Sequence, residues 1–227
     1  MSYVFAPTEP HSLPVAGTTD RFPVRRVYCI GRNYAAHAVE MGHDPDREPP
    51  FFFQKNPDNL DASGTFPYPP QTTDVHHEAE LAVALKSGGS DIAIEDALSH
   101  VYGYAAALDM TRRDLQAEAK KAGRPWDTAK SFEHSAPIGP IHPVETLADM
   151  SSGTISLAVN GAERQSGDLN QMIWKVPEMI SYLSRYFHLA AGDVILTGTP
   201  AGVGAVEPGD VMTVSIAGLP DLTVRVI

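Results

Sequence analysis

The segment His76-His77-Glu78-Ala79-Glu80-Leu81-Ala82-Val83-Ala84-Leu85 alternates acidic or small residues with aliphatic ones. A β-strand sends successive side chains to opposite faces, so Glu78 and Glu80 share one face and the leucine and valine side chains take the other. Two carboxylates at this spacing can converge on one cation, although such alternation is also ordinary on a solvated strand. The segment therefore predicts a core strand that carries a candidate metal site.

Composition limits the classes of partner. The 227 residues, of which 43% are hydrophobic, predict a globular protein, and this length suits one well-filled domain or two small ones. The 17 basic and 28 acidic residues give a net charge of -11 without a basic cluster, which argues against nucleic acid and anionic membrane surfaces as partners. An anionic substrate would need local cations or a bound metal.

Cysteine content and the N-terminal sequence indicate the cellular compartment. The single cysteine, Cys29, excludes an internal disulfide and lies in an apolar run, where a buried thiol is more usual than a nucleophile. The sequence begins without a signal-peptide pattern and contains no apolar stretch long enough to span a membrane. These features predict a cytoplasmic protein.

The distribution of turn residues predicts the chain's organisation. Residues 1–24 are rich in proline and polar residues and predict an extended arm, followed by one folded domain at 25–227. Short strands, frequent turns and few helices predict a β-rich α+β fold. The pattern predicts strands at 27–31, 51–53 (buried), 101–109, 154–159, 163–165, 193–196 and 211–216, and helices at 33–41, 110–122 and, mostly, 169–188, with loop at 57–70.

Asp109 stands where the predicted strand 101–109 gives way to a helix. With Glu78 and Glu80 it supplies three oxygen ligands and no thiolate or paired imidazole, which favours Mg²⁺ or Mn²⁺, or Ca²⁺, over zinc. The alternative is a helix cap, because the four residues from Thr111 to Asp114 resemble a capping box.

Two further motifs are candidates for chemistry. His37 and Glu40 are three apart on a predicted helix, so the carboxylate could orient the imidazole as a general base, although a solvated pair is the commoner outcome. The glycine-rich run Thr197–Gly204 could hold an anion through hydroxyl and N–H groups, or could be a wide connection between strands. It lacks the features of a nucleotide-binding loop.

Five motifs, in order, closely resemble the fumarylacetoacetate hydrolase superfamily from about residue 25 to the C-terminus. Within it the resemblance is greatest to small, single-domain acylpyruvate hydrolases, particularly those that cleave fumarylpyruvate. The motifs are Gly31-Arg32-Asn33-Tyr34-Ala35-Ala36-His37, His77-Glu78-Ala79-Glu80-Leu81, Leu108-Asp109-Met110-Thr111-Arg112-Arg113-Asp114, Lys130-Ser131-Phe132 and the run from Leu196 to Gly204.

The resemblance implies a mixed β-roll with short peripheral helices, a homodimer, and a divalent cation on Glu78, Glu80 and Asp109. It also implies a water-activating pair, His37 and Glu40, on a lid over the substrate. The other implied site residues are the catalytic Lys130 and the substrate-binding Arg32, Tyr34, Arg113, Gln116 and Thr199. Lys55 lies in Phe53-Gln54-Lys55-Asn56-Pro57, which departs from the shorter family motif, so its role stays open.

The implied activity is hydrolysis of a C–C bond in a small anionic 2,4-diketo acid, most simply fumarylpyruvate to fumarate and pyruvate, in aromatic compound catabolism. One alternative is an isomerase or decarboxylase of the same superfamily, acting for example on oxaloacetate. Another is a metal-stabilised binding domain without catalysis. A second substrate carboxylate would need a cation, for which Arg32, Lys55 and Arg113 are candidates.

Overall fold

The computed structural model describes residues 2–40 and 49–227. The described helices are α1 (Ala35–Glu40), α2 (Ile94–Ala97), α3 (Arg113–Ala122), α4 (Asp127–Lys130) and α5 (Val176–Ser184), with short 3₁₀ turns at Pro57–Asn59, Leu98–His100, Val144–Thr146 and Leu169–Gln171.

Strands make up more of the described fold than helices do. They are β1 (Ser12–Pro14), β2 (Arg21–Pro23), β3 (Arg26–Gly31), β4 (Phe51–Lys55), β5 (Leu60–Asp61), β6 (Thr65–Phe66), β7 (Val75–His77), β8 (Ala79–Leu85), β9 (Val101–Leu108), β10 (Thr111–Arg112), β11 (Ala136–Pro137), β12 (His142–Pro143), β13 (Thr154–Val159), β14 (Ala162–Asp168), β15 (Asp193–Leu196), β16 (Gly204–Val206), β17 (Val211–Ile216) and β18 (Leu222–Val226). The predicted β-rich α+β class is confirmed.

A mixed six-stranded sheet in the order β12-β9-β8-β15-β3-β4 forms the centre of the fold. Every residue of β8 is buried, because both faces of this sheet are covered. Leu81 and Val83 pack into the larger of two cores, and Ala82 and Ala84 pack into the smaller one. Strand β8 is therefore an interior strand, and its acidic end emerges at one edge of the core.

A five-stranded sheet, β14-β13-β17-β18-β6, packs against the larger core. Its β13–β14 hairpin confirms the turn predicted at Asn160 and Gly161, whose φ angles are 52° and 78°. Two successive positive φ angles are what a two-residue type I′ turn requires. A third, small sheet in the order β10-β7-β16 connects the chain just before Glu78 to the start of α3.

Several predicted boundaries are wrong. The helix expected from Met110 begins at Arg113, because Thr111 and Arg112 pair with β7 as a strand. The proposed capping box does not form, since the N-cap is Arg112 and the Asp114 carboxylate accepts hydrogen bonds from Thr72 and Thr73 instead.

Four other expectations also differ from the structure. Only Val176–Ser184 of the stretch 169–188 is α-helical. The strand at 51–53 extends to Lys55 at the sheet edge, and Phe51 is 41% exposed rather than buried. Short strands β5 and β6 interrupt the loop predicted at 57–70. The helix predicted at 33–41 begins at Ala35, and its predicted last residue lies outside the described residues.

The N-terminal segment packs on the smaller core. Strands β1 and β2 pair with each other, and Leu13 and Phe22 are buried in that core, while Tyr3, Val4 and Phe5 are exposed. The division of the chain at residue 24 stays a prediction. Among the helices described here, none is both long and apolar enough to cross a membrane.

Gly103 marks a close backbone approach between β9 and β12. A Cβ at this position would lie 2.3 Å from the carbonyl oxygen of His142. We expect Gly103→Ala to lower the free energy of unfolding by about 1 to 3 kcal/mol, because the central sheet has no room for the methyl group. Urea denaturation would measure the effect. In the control Gly139→Ala, the added Cβ meets its nearest neighbour at 3.6 Å, and a loss of the same size there would contradict the explanation.

Candidate active site

Three buried carboxylates meet at the edge of the central sheet. Glu78 immediately precedes β8, Glu80 is the second residue of β8, and Asp109 follows the end of the antiparallel strand β9, so strand pairing brings the three together. The Asp109 N–H donates to the Glu78 carbonyl oxygen at 2.8 Å, which fixes this junction. One ligand oxygen from each carboxylate lies within 4.8 Å of the other two.

Three cations from other elements contact these carboxylates. Lys130 Nζ donates to Glu78 Oε2 at 2.9 Å and to Asp109 Oδ2 at 2.6 Å. Arg113 Nη2 donates to Glu78 Oε1 at 2.6 Å, and Lys55 Nζ lies 2.9 Å from Asp109 Oδ1. A buried charge is tolerated when it is paired and hydrogen-bonded, and here Glu78 and Asp109 each have two cationic neighbours.

Lys55, whose role the sequence left open, belongs to this buried charge cluster. Its side chain is buried, and its ammonium group donates to Ser135 Oγ at 3.0 Å and to the Lys130 carbonyl oxygen. It therefore connects Asp109 to the chain that carries Lys130. These partners leave it poorly placed to bind a substrate carboxylate, which was one of the roles that the sequence allowed.

The charges are unevenly matched across the cluster. Burial alone would raise the pKa of Glu78, but the Lys130 and Arg113 cations hold it well below its ordinary value. Burial and the neighbouring Asp109 and Glu78 carboxylates raise the pKa of Glu80, whose hydrogen-bond partner is the Gly198 N–H at 2.7 Å. The ionised form of Glu80 is thus disfavoured in this cluster, and a hard cation among the three carboxylates would stabilise it. The donor set fits a divalent ion.

Most predicted site residues line one cavity beside the carboxylates. Among the predicted residues whose side chains the structure describes, Tyr34 is the exception, because it is packed in the larger core and forms a backbone bridge with Met172. The predicted residues that line the cavity with the three carboxylates are Arg32, His37, Arg113, Gln116, Lys130 and Thr199. Sequence reasoning missed Ile30, Gly31, Phe53, Lys120 and Trp126, which also line it.

His37 lies on α1 and is buried against this cavity. Only the backbone of Glu40 is described, so the predicted contact between the two side chains remains a prediction. The start of α1 is fixed by Asn33, whose Nδ2 donates to the carbonyl oxygens of Thr197 and Trp174 at 2.8 and 3.0 Å. The Trp174 N–H donates in turn to Asn33 Oδ1 at 2.7 Å. This buried amide ties α1 to the chain after β15.

The glycine-rich run from Thr197 to Gly204 uses several of its polar groups within the protein. The Gly198 N–H holds the Glu80 carboxylate, and the Thr197 hydroxyl donates to the Leu81 carbonyl oxygen at 3.0 Å. The predicted anion site is therefore replaced, at these two residues, by contacts that position a protein carboxylate. Thr199 is the residue of this run that reaches the cavity.

Gln165 is a supporting residue that sequence reasoning did not identify. Its Oε1 accepts from the Ala79 N–H at 3.0 Å and lies 3.0 Å from His77 Nδ1, and its Nε2 donates to Thr199 Oγ1 and the Pro200 carbonyl oxygen, both at 2.8 Å. The side chain is fully buried and joins the hairpin of the second sheet to both sides of the site. Its distance in sequence from these partners gave no local signal.

The β-roll with three carboxylates at its centre defines a class of metal-site enzymes, and a comparison of the sequence with protein families identifies the same class. The family model for the fumarylacetoacetate (FAA) hydrolase C-terminal domain matches residues 26–227, and the chain belongs to this enzyme family. The family resemblance stated from the motifs is confirmed.

Relatives in this family are named for different activities, hydrolase and tautomerase among them. The crystal structure of fumarylpyruvate hydrolase from Pseudomonas aeruginosa in complex with Mn²⁺ and pyruvate is 53% identical, with a TM-score of 0.96, and the match covers 100% of this chain and 99% of that one. Fumarylpyruvate hydrolase of Ralstonia sp is 43% identical over 82% of this chain and 98% of its own length. Oxaloacetate tautomerase YcgM of Escherichia coli strain K12 is 42% identical over 91% of this chain and 94% of its own length.

Removing the polar end of Gln165 should destabilise the protein. We expect Gln165→Met to lower the free energy of unfolding by about 2 to 4 kcal/mol, because each buried polar group left unpaired costs about 1 to 3 kcal/mol. Urea denaturation would measure this loss. The control Gln171→Met removes one hydrogen bond at an exposed capping position and should cost less than about 1 kcal/mol. Equal losses in the two variants would show that the buried network does not have this role.

Proposed function

We propose that this protein hydrolyses a C–C bond in a 2,4-diketo acid, with fumarylpyruvate as the preferred substrate, giving fumarate and pyruvate. The observation that carries the proposal is His37 lining the same cavity as three buried carboxylates suited to a divalent cation. A fumarylpyruvate hydrolase 53% identical to the chain, crystallised with Mn²⁺ and pyruvate, supports it.

The metal ligands in this proposal are Glu78, Glu80 and Asp109, and the ion is Mg²⁺ or Mn²⁺. Bound there, such an ion would polarise the keto acid and stabilise negative charge on the pyruvyl fragment. The protein contributes ligand positions held by Lys130, Arg113, Lys55 and the Gly198 N–H.

His37 is the proposed general base, oriented by Glu40. It would take a proton from water as the water oxygen attacks the C4 carbonyl carbon. Collapse of the adduct breaks the C3–C4 bond and leaves its electron pair on C3 as the pyruvate enolate, while C4 becomes the carboxylic acid. The Lys130 ammonium group stabilises the developing charge, and protonation at C3 gives pyruvate.

Oxaloacetate tautomerisation or decarboxylation is the second candidate function. A relative named as an oxaloacetate tautomerase, 42% identical over most of both chains, favours it. These reactions pass through an enolate but need no attacking water. A base that activates water, the role proposed for His37, is therefore needed for hydrolysis and not for them. We further propose that the protein is a cytoplasmic homodimer and acts in the catabolism of aromatic compounds. Its residues 1–24 form an N-terminal arm in this proposal.

Metal removal tests the acidic centre. Extensive chelation should abolish cleavage of fumarylpyruvate, followed by its absorbance, and Mg²⁺ or Mn²⁺ should restore it. By calorimetry, Glu80→Gln should weaken Mn²⁺ binding by at least about 10-fold. Loss of a residue that only hydrogen-bonds to a metal ligand already costs about that much affinity, and loss of a ligand itself should cost no less. The exposed glutamate on α3 gives the matched control Glu118→Gln, which should bind Mn²⁺ normally. Full activity in metal-free protein would refute a metal-dependent reaction.

The assigned base makes a separate prediction. We expect His37→Ala to lower kcat for fumarylpyruvate by about 100- to 10,000-fold, because a positioned general base contributes that range. Mn²⁺ binding and oxaloacetate tautomerisation should be largely retained, since neither needs activated water. Replacement of the exposed His188 by alanine is the control. Equal loss of both reactions would mean that the proton-transfer role belongs elsewhere.

A further inference from the structure

One stripe of helix α3 faces the cavity with polar side chains. Arg113, Gln116 and Lys120 are spaced by three and four residues, which places them on one face of the helix, and all three line the cavity. Arg113 donates to Glu78 and to Gln116 Oε1, both at 2.6 Å, so its guanidinium is already committed to the acidic centre. Lys120 lies one helical turn beyond Gln116.

Lys120 is not neutralised in the same way. In the part of the chain that the structure describes, no carboxylate lies within ion-pair distance of its ammonium group. The group instead lies 5.3 Å from the centre of the Trp126 ring, over its face. A cation–π contact is a partial substitute for an ion pair and leaves the ammonium hydrogens able to bind an anion.

The surroundings of Lys120 favour an anion. Burial lowers the pKa of Lys120, and the Arg113 and Arg32 cations lower it further. A half-buried ammonium group that has lost part of its hydration is costly without an anionic partner, and a carboxylate entering the cavity would lower that cost.

We propose that Lys120 binds the second carboxylate of a dicarboxylic diketo acid and selects such substrates over monocarboxylic ones. This inference rests on the proposed function. The diketo end would occupy the acidic centre, and the chain leading to the second carboxylate would pass the aromatic walls of Phe53 and Trp126, which line the same cavity. Lys120 is a specificity residue in this arrangement, and the bond-breaking steps do not use it.

A wider groove adjoins this cavity and contains another candidate cation. The two share Arg32, Phe53, Trp126 and Lys130, and the groove has a volume of about 510 Å³. Arg124 lines the groove but is exposed, so its charge is better screened by water than that of Lys120. We therefore place the second carboxylate at Lys120, and Arg124 supplies the rival position for the experiment.

Two substrates that differ only at the distal end test the assignment. Fumarylpyruvate carries a carboxylate where crotonylpyruvate carries a methyl group. In Lys120→Met, the ratio of kcat/KM for the diacid to that for the monoacid should fall about 10- to 100-fold, the range expected for one charge-assisted hydrogen bond. Lys120→Arg should retain most of the ratio. The neighbouring exposed lysine gives the control Lys121→Met, which should leave it unchanged.

Two outcomes would overturn the inference. One is an unchanged ratio of kcat/KM for the diacid to that for the monoacid in Lys120→Met, and the other is a fall in this ratio in Arg124→Gln alone. A binding measurement separates it from the proposed function. The unreactive pair 2-oxoheptanedioate and 2-oxoheptanoate should differ in affinity for the Mn²⁺-loaded protein, by tryptophan fluorescence, and Lys120→Met should remove that difference. If the unmodified protein cleaves neither diketo acid, the proposed function is wrong, and this binding comparison alone decides for or against Lys120.

Discussion

Repulsion among three buried carboxylates is the physical constraint on which the arrangement of the site depends. Their oxygens lie within 4.8 Å of one another, where water screens little of the repulsion. The compensating cations come from three different elements, β4, α3 and α4, in the form of Lys55, Arg113 and Lys130. Glu78, Glu80 and Asp109 therefore constrain where β4, α3 and α4 can lie, and Lys55 also ties β4 to α4 by donating to the Lys130 carbonyl oxygen.

Neutral hydrogen bonds then connect this charged centre to the rest of the fold. Gln165 brings the second sheet to the start of β8, and Asn33 joins α1 to the chain after β15. Both are buried amides whose donors and acceptors are used, which makes the polar junction specific to one arrangement. His37 is thus carried by a helix whose first turn is fixed to the same chain segment that holds Glu80 through Gly198.

Local patterns in the sequence predicted the parts of the site that depend on strand alternation. Glu78 and Glu80 share a face because of the two-residue strand period, and Asp109 follows a strand that pairs with theirs. The roles of Lys55 and Gln165 depend on partners 34 or more residues away in sequence, which a local pattern cannot identify. The start of α3 was predicted wrongly for a related reason. Pairing of Thr111 with β7, a distant strand, overrides its local capping signal.

The charge balance of the centre bears on the kind of molecule it would accept. Three carboxylates are contacted or approached by three cations, so a bound divalent ion would leave the centre with two excess positive charges. In the proposed binding mode the keto-acid carboxylate offsets one of these charges, and the second carboxylate of a diacid meets Lys120, which adds a further positive charge to the same cavity. Net protein charge opposes the approach of a dianion, but a bound dianion feels chiefly the groups within a few ångströms. For the keto acids of the proposed function, local charge therefore favours a doubly charged molecule even though the chain as a whole is acidic.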